Sequence, residues 1–416
     1  MTDFNTLFAK AREDSRKLPS YTDEERSAVL LTLAGLIESE TPALLAANAE
    51  DLAKMSPENP LYDRLQLTAE RLKGIASDMR HVAKLPCPVG EVIEERTLEN
   101  GIELSRVRSP FGVVGVIYEA RPNVTFDVFA ITFKTANACI LKGGHDAEQS
   151  NRAAINLIKK ALRTHGMPEA SATLLPSTHE ATAAMLCARG YIDICIPRGG
   201  RRLIDFVRDT ARIPVIETGA GVVHAYFHSA GDLKMGSEII NNAKTRRVSV
   251  CNALDTLIVD RSRLNDLPTL LKPLADKDVT IHADREALEA LEGKYPAELL
   301  TAAVDEDAAR EWMSLNMGVY TVDGIDEALE HISRYGSGHS ETIITEDSEA
   351  ARRFMDSVDA ACVYHNLPTS FTDGGQFGLG AEIGISTQKL GPRGPMGLTA
   401  LTTYRWLLVG RGQLRP

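Results

Sequence analysis

The sequence predicts an α/β protein built on a parallel sheet. Between residues 113 and 259, apolar runs rich in β-branched residues alternate with helical segments, which is the pattern of successive βαβ units. Two junctions between a predicted strand and the following helix are glycine-rich, at Gly143-Gly144 and Gly199-Gly200. The chain has 416 residues, more than one core usually supports, so two or three lobes are expected. The predicted strands are 113–118, 138–142, 191–196, 213–216 and 256–259.

Helical segments flank these strands. About 85 residues at the start are predicted to be helical, and Thr22 and Glu25 have the spacing of a capping box ahead of an apolar-periodic stretch. After the first glycine pair, Ile155, Ile158 and Leu162 fall on one helical face. After the second pair, another helix is predicted to run to about residue 212. Beyond residue 260, a second α/β region is predicted to contain helices at 284–293, 305–315 and 348–357.

Two segments depart from this pattern. From residue 91 to residue 109, short alternating runs surround the turn signal Asn100-Gly101, which predicts a β-hairpin. A ribbon of this kind leaves unpaired strand edges, so we expect an interface with a partner subunit there. Between residues 373 and 395 glycines are frequent, which predicts backbone held close to a ligand or to a neighbouring loop.

Composition excludes several classes of protein. Hydrophobic residues make up 44% of the chain and charged residues 25%, as in an ordinary globular protein. A net charge of −11 argues against a nucleic-acid partner, so an anionic substrate would need a local basic site. The six cysteines form no CxxC pair or Cys/His cluster, so neither disulfides nor a metal site is expected. We expect no membrane span and no secretion signal, which makes the cytoplasm the predicted location.

The two glycine-rich junctions are candidate phosphate sites. A helix that begins after such a turn presents backbone N–H groups and a partial positive charge to an anion. No GxGxxG or GxxxxGK[ST] pattern follows a predicted strand, so the alternative, that these glycines only permit tight turns, stays open. The residues that fit the phosphate role are Lys142, Gly143, Gly144, Arg198, Gly199 and Gly200.

Cys251 is the candidate nucleophile. It follows a polar, basic segment and precedes a predicted strand, and Lys244, Arg246 and Arg247 lie within seven positions of it. Cations near a thiol favour the thiolate, and they also attract an anionic substrate. The alternative for Cys251 is an inert core thiol, which is the prediction for the cysteines at 139, 187, 195 and 362 because they lie in apolar runs.

Several motifs resemble one enzyme family. Glu217-Thr218-Gly219-Ala220-Gly221 precedes Cys251 by 34 positions, counted from Glu217, which is similar to the glutamate-to-cysteine spacing of the aldehyde dehydrogenase superfamily. Other segments resemble the gamma-glutamyl phosphate reductases of that superfamily, in the same order along nearly the whole chain. These segments are Ile117-Tyr118-Glu119-Ala120-Arg121-Pro122-Asn123-Val124-Thr125, Ile196-Pro197-Arg198-Gly199-Gly200, Asn242-Ala243-Lys244-Thr245, Cys251-Asn252-Ala253, Phe371-Thr372-Asp373-Gly374-Gly375, Gly378-Leu379-Gly380-Ala381-Glu382-Ile383-Gly384-Ile385-Ser386-Thr387 and Arg393-Gly394-Pro395-Met396-Gly397-Leu398.

The resemblance implies the second step of proline biosynthesis. L-glutamyl 5-phosphate would be reduced by NADPH to L-glutamate 5-semialdehyde, with release of phosphate. Cys251 would attack the acyl phosphate and carry the substrate as a thioester. Asn123 matches the asparagine whose amide, with the backbone N–H of the cysteine, forms the oxyanion hole of the superfamily.

The resemblance also implies cofactor and substrate contacts. Lys142 matches the lysine at the adenosine ribose, Arg198 with Gly199 and Gly200 the pyrophosphate loop, and Glu382 the carboxylate at the nicotinamide ribose. Glu217 would not activate water, because a phosphorylating enzyme must exclude water from the thioester. Its implied role is a hydrogen bond near the nicotinamide or to neighbouring backbone. His224 is a possible proton donor or a structural residue. Candidates for binding the phosphate or the α-carboxylate of the substrate are Lys244, Thr245, Arg246 and Arg393.

The implied fold is aldehyde dehydrogenase-like, with a Rossmann-type parallel sheet in the cofactor domain, a second α/β catalytic domain and a small β-hairpin for oligomerisation. The cofactor domain would comprise 1–90 and 110–225, the oligomerisation element 91–109 with 400–416, the catalytic domain 226–385, and a return segment 386–399. A homo-oligomer and association with glutamate 5-kinase are expected. One departure from the family pattern is Ser370, which replaces an arginine. The alternatives are a hydrolytic semialdehyde dehydrogenase that uses NAD(P), and a catalytically silent homologue acting as a binding partner.

Overall fold

The computed structural model describes residues 3–59, 62–119 and 121–415, so Ala120 of the first motif lies outside the described residues. The helices are α1 Phe4–Ser15, α2 Asp23–Ser39, α3 Thr41–Leu52, α4 Tyr62–Leu65, α5 Ala69–Lys84, α6 Asn123–Lys134, α7 Glu148–Thr164, α8 His179–Leu186, α9 Arg201–Thr210, α10 Leu233–Thr245, α11 Leu267–Ala275, α12 Arg285–Leu291, α13 Ile325–Tyr335 and α14 Ser348–Ser357. The strands are β1 Val92–Thr97, β2 Glu103–Pro110, β3 Val113–Tyr118, β4 Ala138–Lys142, β5 Ala172–Leu174, β6 Ile194–Arg198, β7 His224–Phe227, β8 Thr256–Asp260, β9 Thr280–Ala283, β10 Leu300–Ala302, β11 Asn316–Val322, β12 Ser340–Ile344, β13 Cys362–His365, β14 Ile385–Ser386, β15 Gly394–Pro395 and β16 Thr402–Val409.

The first of two compact units contains the described residues up to Thr218, together with Gly378–Gly384 and the chain from Met396 onward. Its core is a parallel sheet in the order β5-β4-β3-β6, flanked by helices. Every residue of β3 is buried, as expected for a central strand covered on both faces. The predicted capping box of α2 is present, because the Thr22 side chain accepts the Glu25 N–H and the Glu25 side chain accepts the Thr22 N–H.

The same unit contains a three-stranded antiparallel sheet in the order β1-β2-β16. The predicted hairpin is confirmed as β1 and β2, and the Gly101 N–H donates to the Leu98 carbonyl in its turn. The C-terminal strand β16 of the same chain pairs with β2 from Thr402↔Pro110 to Val409↔Glu103. The chain's own tail therefore occupies that edge of β2, and contact of this sheet with a partner subunit stays a prediction.

The second unit contains Gly219–Phe377 and Ile385–Pro395. Its sheet has seven parallel strands in the order β10-β9-β11-β8-β7-β12-β13. Helix α14 covers the predicted segment 348–357 and α12 lies within 284–293. The boundary between the units falls at Thr218 and Gly219, and 396–399 lies with the first unit. The assignment of the units to cofactor binding, catalysis and assembly stays a prediction.

Two predicted elements are wrong. Residues 213–216 form an isolated bridge between Val215 and Cys195, because Pro214 lacks the N–H that a continuous ladder requires. Residues 305–315 form only the short 3-10 turn Asp305–Ala309. A helix cannot continue there because the Trp312 N–H donates to Asp255 and Met313 has a positive φ of 52°. Strand β6 also begins three residues later than predicted.

Among the described residues, no single helix is long and apolar enough to cross a membrane. Helices α2 and α3 reach that length and composition only as a pair, and the pair is bent by 71° at its junction.

Candidate active site

Cys251 lies in the turn that joins α10 to β8, at the amino end of a central strand of the seven-stranded sheet. Its side chain is partly buried, whereas Arg246 and Arg247 earlier in the same turn are exposed. The thiol therefore lies in a turn with two exposed cations. Gly221 precedes β7 and His339 precedes β12, so three residues that meet in this region come from the amino ends of neighbouring strands.

Asn252 fixes the turn that carries the nucleophile. Its side-chain amide donates to the backbone carbonyls of Thr372, at 2.9 Å, and Ser370, at 3.4 Å. The Thr369 hydroxyl donates to the Asn252 carbonyl at 2.9 Å. Asn252 is buried, so these hydrogen bonds are shielded from water. These hydrogen bonds connect two of the motifs, because the segment that contains Thr372 holds Asn252, the residue next to Cys251.

Gly221 is required by the same turn. A Cβ atom built on Gly221 would lie 1.6 Å from the backbone oxygen of Cys251, so no larger residue fits without moving that backbone. The Gly221 N–H donates to Glu311 Oε1 at 3.0 Å, and a Cβ on Gly219 would meet the Thr387 side chain at 2.5 Å. The Gly219-Ala220-Gly221 part of the motif thus makes room for the nucleophile turn.

His339 is the residue at this site that the sequence analysis missed. Its Nε2 lies 3.2 Å from Cys251 Sγ, and its Nδ1 lies 2.8 Å from Ser340 Oγ. Ser340 Oγ is 2.6 Å from Thr372 Oγ1, which is 2.8 Å from the Tyr364 hydroxyl. A chain of hydrogen-bonding groups therefore runs from the thiol into the interior. The available sequence signal was a histidine beside small residues at the start of an apolar strand, which is a weak one.

Lys244 is a buried cation in this unit, and its role as a substrate contact stays a prediction. Its ammonium is buried and donates to the Leu254 carbonyl at 2.9 Å. Burial lowers the pKa of Lys244 and raises the pKa of Asp255, while the attraction between the two groups opposes both shifts. The Asp255 carboxylate also accepts the Trp312 N–H at 2.9 Å. The pair supports the backbone between the nucleophile turn and β8.

Two other predicted substrate contacts, Thr245 and Arg393, have partners within the protein. The Thr245 hydroxyl donates to the Asn241 carbonyl and accepts from Lys277 at 2.8 Å. Arg393 donates to Asp359 Oδ1 at 2.8 Å. Arg246 and Arg393 are both exposed. The binding roles of Thr245, Arg246 and Arg393 stay predictions.

Two further residues of the second unit were singled out in the sequence. Ser370, which replaces the family's arginine, donates its hydroxyl to Asn242 Oδ1 at 2.7 Å. His224 is fully buried, and Glu341 Oε2 accepts its backbone N–H at 2.9 Å and lies 3.0 Å from its Nδ1. Burial raises the pKa of Glu341, and His224 acts in the opposite direction. This environment favours the structural alternative for His224.

In the first unit, Asn123 begins α6 and its amide donates to Asp127 Oδ2 at 2.8 Å, one turn along the helix. Burial raises the pKa of Asp127 to about 6, partly offset by the hydrogen bond from Asn123 and by the charge of Arg198. A Cβ on Gly384 would meet Arg198 Nη1 at 2.7 Å. The unit thus brings together Asn123, Arg198 and the glycine-rich segment that contains Glu382.

Lys142 ends β4 and is half-buried, which lowers its pKa. The glycines that follow it have different roles. A Cβ on Gly143 would lie 2.2 Å from Asn151 Nδ2, so Gly143 lets α7 pack close to the end of β4, a role that the sequence did not indicate. Gly144 lines a cleft of about 230 Å³ with Arg152, Lys159 and Ser177. The carboxyl end of β4 therefore presents a cation beside an open cleft.

The second glycine pair is engaged by an internal carboxylate. Glu119 Oε2 accepts the Gly200 N–H at 2.9 Å, and a Cβ on Gly199 would lie 2.7 Å from the same carboxylate. The Gly200 N–H lies at the N-terminus of α9, where a phosphate was predicted, but it already donates to Glu119. Glu217 Oε2 lies 3.7 Å from Arg208 Nη1 in the same unit. No cluster of three or more His, Cys, Asp or Glu side chains suited to a metal occurs among the residues that the structure describes.

A cysteine turn thus lies at the amino ends of parallel strands in the second unit. Residues 1–288 match the model of the aldehyde dehydrogenase family. Two curated relatives are gamma-glutamyl phosphate reductases. That of Pelodictyon phaeoclathratiforme is 55% identical over 97% of each chain, and that of Bacteroides thetaiotaomicron is 54% identical over 100% of this chain and 99% of the relative. The crystal structure of gamma-glutamyl phosphate reductase from Thermotoga maritima is 37% identical, covers 99% of each chain and has a TM-score of 0.95. The chain belongs to the aldehyde dehydrogenase family and, within it, to the gamma-glutamyl phosphate reductases. The predicted fold class is thereby confirmed.

Proposed function

We propose that the chain reduces L-glutamyl 5-phosphate to L-glutamate 5-semialdehyde and phosphate through a thioester on Cys251, in the second step of proline biosynthesis. Full-length similarity to gamma-glutamyl phosphate reductases supports the overall reaction. The observation that carries the mechanism is a partly buried thiol on a turn fixed by Asn252 and Gly221, with an imidazole nitrogen 3.2 Å from the sulfur.

In this mechanism the Cys251 sulfur attacks the acyl carbon, the C–O bond to phosphate breaks and a thioester remains. Rigid support of the turn keeps the sulfur in one position, which lowers the entropic cost of the attack. We propose that the Asn123 amide donates to the developing oxyanion. Its hydrogen bond to Asp127 fixes the orientation of that amide and leaves its second N–H to donate elsewhere.

NADPH is the proposed reductant, and when bound it supplies the hydride. The carboxyl end of β4 fits a phosphorylated ribose, since Lys142 adjoins a cleft lined by Arg152 and Lys159. The Gly200 N–H fits a pyrophosphate less well, because Glu119 already accepts it. The exposed side chains of Arg201 and Arg202 on the first turn of α9 add positive charge near that position. We keep Glu217 and Glu382 as proposed contacts of the nicotinamide end.

We expect Lys142→Ala to raise KM for NADPH by about tenfold and KM for NADH much less, because an amino group facing the 2′-phosphate contributes a charge-assisted hydrogen bond. Steady-state kinetics with each cofactor measure this. Lys160→Ala is the matched control, since Lys160 lies on the exposed face of α7 in an ion pair with Glu40. An equal rise in both KM values would contradict recognition of the 2′-phosphate.

The hydrolytic alternative makes an opposite prediction about phosphate. In the reverse direction, a phosphorylating enzyme needs phosphate or arsenate to cleave the thioester, so steady oxidation of the semialdehyde by NADP⁺ is expected to require one of these anions. The measurement is the rate of NADPH formation as a function of phosphate concentration. Full-rate oxidation without either anion would establish the hydrolytic reaction, and no oxidation under any condition would favour the silent homologue.

Assembly through the three-stranded sheet is also proposed. Strand β16 exposes a run of large apolar side chains, from 42% to 60% of their surface, and an exposed apolar strand of this length is typical of an interface. These residues are Tyr404, Trp406, Leu407, Leu408 and Val409. A second copy of the chain is the proposed partner. Association with glutamate 5-kinase and a cytoplasmic location stay predictions.

A further inference from the structure

We propose that His339 is the base that removes the thiol proton of Cys251 during the attack on the acyl phosphate, and that Ser340 holds its ring in the required orientation. This inference rests on the proposed function, because it takes Cys251 as the nucleophile. It adds a third catalytic residue to Cys251 and Asn123, and one that the motif comparison did not indicate.

The geometry gives each ring nitrogen of His339 one partner. Nε2 faces Cys251 Sγ at 3.2 Å, and Nδ1 faces Ser340 Oγ at 2.8 Å. When Nδ1 carries the ring proton and donates it to Ser340, Nε2 has a lone pair directed at the thiol. Beyond Ser340, the hydroxyls of Thr372 and Tyr364 continue the chain at 2.6 and 2.8 Å. The ring is therefore held from the side opposite the sulfur.

Burial sets the protonation state of the ring. His339 is fully buried, and burial lowers its pKa to about 4, so the imidazole is neutral at neutral pH and Nε2 keeps its lone pair. The lowered pKa also makes the ring a weak base, so the proton moves to Nε2 only as the sulfur bonds to the acyl carbon. Its contact with Cys251 is only partly buried, so a substrate can reach the sulfur while the ring behind it stays shielded. The exposed Arg246 and Arg247 carry positive charge but have no capacity to accept a proton at neutral pH.

The proposed step balances. The Sγ–H bond breaks and its proton passes to His339 Nε2 while sulfur forms a bond to the acyl carbon. The C–O bond to the phosphate breaks, and the departing phosphate takes up one proton, from the imidazolium or through water, to leave as hydrogen phosphate. The products are the Cys251 thioester, hydrogen phosphate and neutral His339, so the step involves no oxidation or reduction.

The test is alkylation of Cys251 without substrate, because it reports the activation of the thiol alone. In His339→Asn, the shorter amide can still reach Ser340 but lacks a group at the position of Nε2. We expect iodoacetamide to modify Cys251 about tenfold more slowly in this variant at neutral pH, and kcat to fall by about 10²–10⁴-fold. Peptide mass spectrometry measures each site separately, and the exposed Cys187 in the first unit is an internal control whose rate should not change. If Cys251 is alkylated in His339→Asn at the wild-type rate, the proposal is overturned, whatever happens to kcat.

Ser340→Ala keeps the inference testable if the first variant folds poorly. Loss of the hydroxyl removes the partner of Nδ1 but keeps the imidazole, so a smaller reduction of the alkylation rate and of kcat is expected, with KM for NADPH unchanged. Wild-type values for both would overturn the proposed orienting role. Activity of a Cys251→Ser variant would instead contradict the proposed function itself, so the two failures are distinguishable.

Discussion

Cys251→Ser is expected to abolish reduction of the acyl phosphate, with a loss of at least about 10³-fold in kcat, because a serine hydroxyl is far less nucleophilic than a thiol under these conditions. Serine differs from cysteine only in the atom at the γ position, and the Asn252 hydrogen bonds that fix the turn do not involve that atom. Folding should therefore be retained. The measurement is semialdehyde-dependent NADPH formation in the presence of phosphate, together with the unfolding temperature.

The matched control is Cys187→Ser. Cys187 is an exposed thiol at the C-cap of α8 in the first unit, and its substitution is expected to leave both activity and unfolding temperature unchanged. Retained activity in Cys251→Ser would show that another group carries the substrate. Loss of activity in both variants would point to a general effect of losing a thiol, and would remove the support for Cys251 in particular.

Gly221→Ala is expected to reduce kcat by about 10²-fold or more, because a small displacement of a nucleophile is enough to cause such a loss. The added methyl group would lie 1.6 Å from the Cys251 carbonyl oxygen, which is backbone and cannot rotate away as a flexible side chain does. The turn must therefore shift, and the contact between Cys251 and His339 shifts with it. The expected readouts are a lower kcat and slower alkylation of Cys251.

Gly35→Ala provides the comparison for this substitution. Gly35 lies within α2 and is exposed, and no atom lies within 4 Å of the position that an alanine methyl group would occupy there. Alanine at this position is therefore expected to stabilise the protein by about 0.5–1 kcal/mol through helix propensity, with activity unchanged. If Gly221→Ala behaved like Gly35→Ala in both kinetics and thermal unfolding, the close approach of Gly221 to the nucleophile turn would be contradicted.

Local signals in the sequence were sufficient for much of the fold. Strands β3 and β4 have the predicted bounds, since continuous apolar β-branched runs between glycine-rich turns are typical of buried parallel strands. The capping box of α2 was also predicted correctly, because it depends only on two residues three positions apart in the sequence. The predicted helix at 305–315 failed because distant partners, Asp255 and Gly221, use backbone and side-chain groups of this segment.

The site was only partly predictable. Cys251 was found because cations and motifs adjoin it in the sequence, and Lys244 was assigned as an anion contact on charge alone. The structure places that ammonium in the interior beside the Leu254 carbonyl, which charge cannot indicate. His339 was missed because it lies 88 positions from Cys251 and approaches it only through the order of β8, β7 and β12 in the sheet. Ligand sites in parallel sheets are usually sought at the carboxyl ends of strands, whereas this cluster lies at their amino ends.

The central claim is that Cys251 carries the substrate as a thioester which only phosphate releases. Its most direct test mixes the enzyme with L-glutamate 5-semialdehyde and NADP⁺ in the absence of phosphate, and follows NADPH formation and the mass of the Cys251 peptide. The account predicts one rapid equivalent of NADPH per site, a γ-glutamyl group on Cys251, and continued turnover only after phosphate is added. Sustained turnover without phosphate, or an acyl group on any other residue, would contradict it.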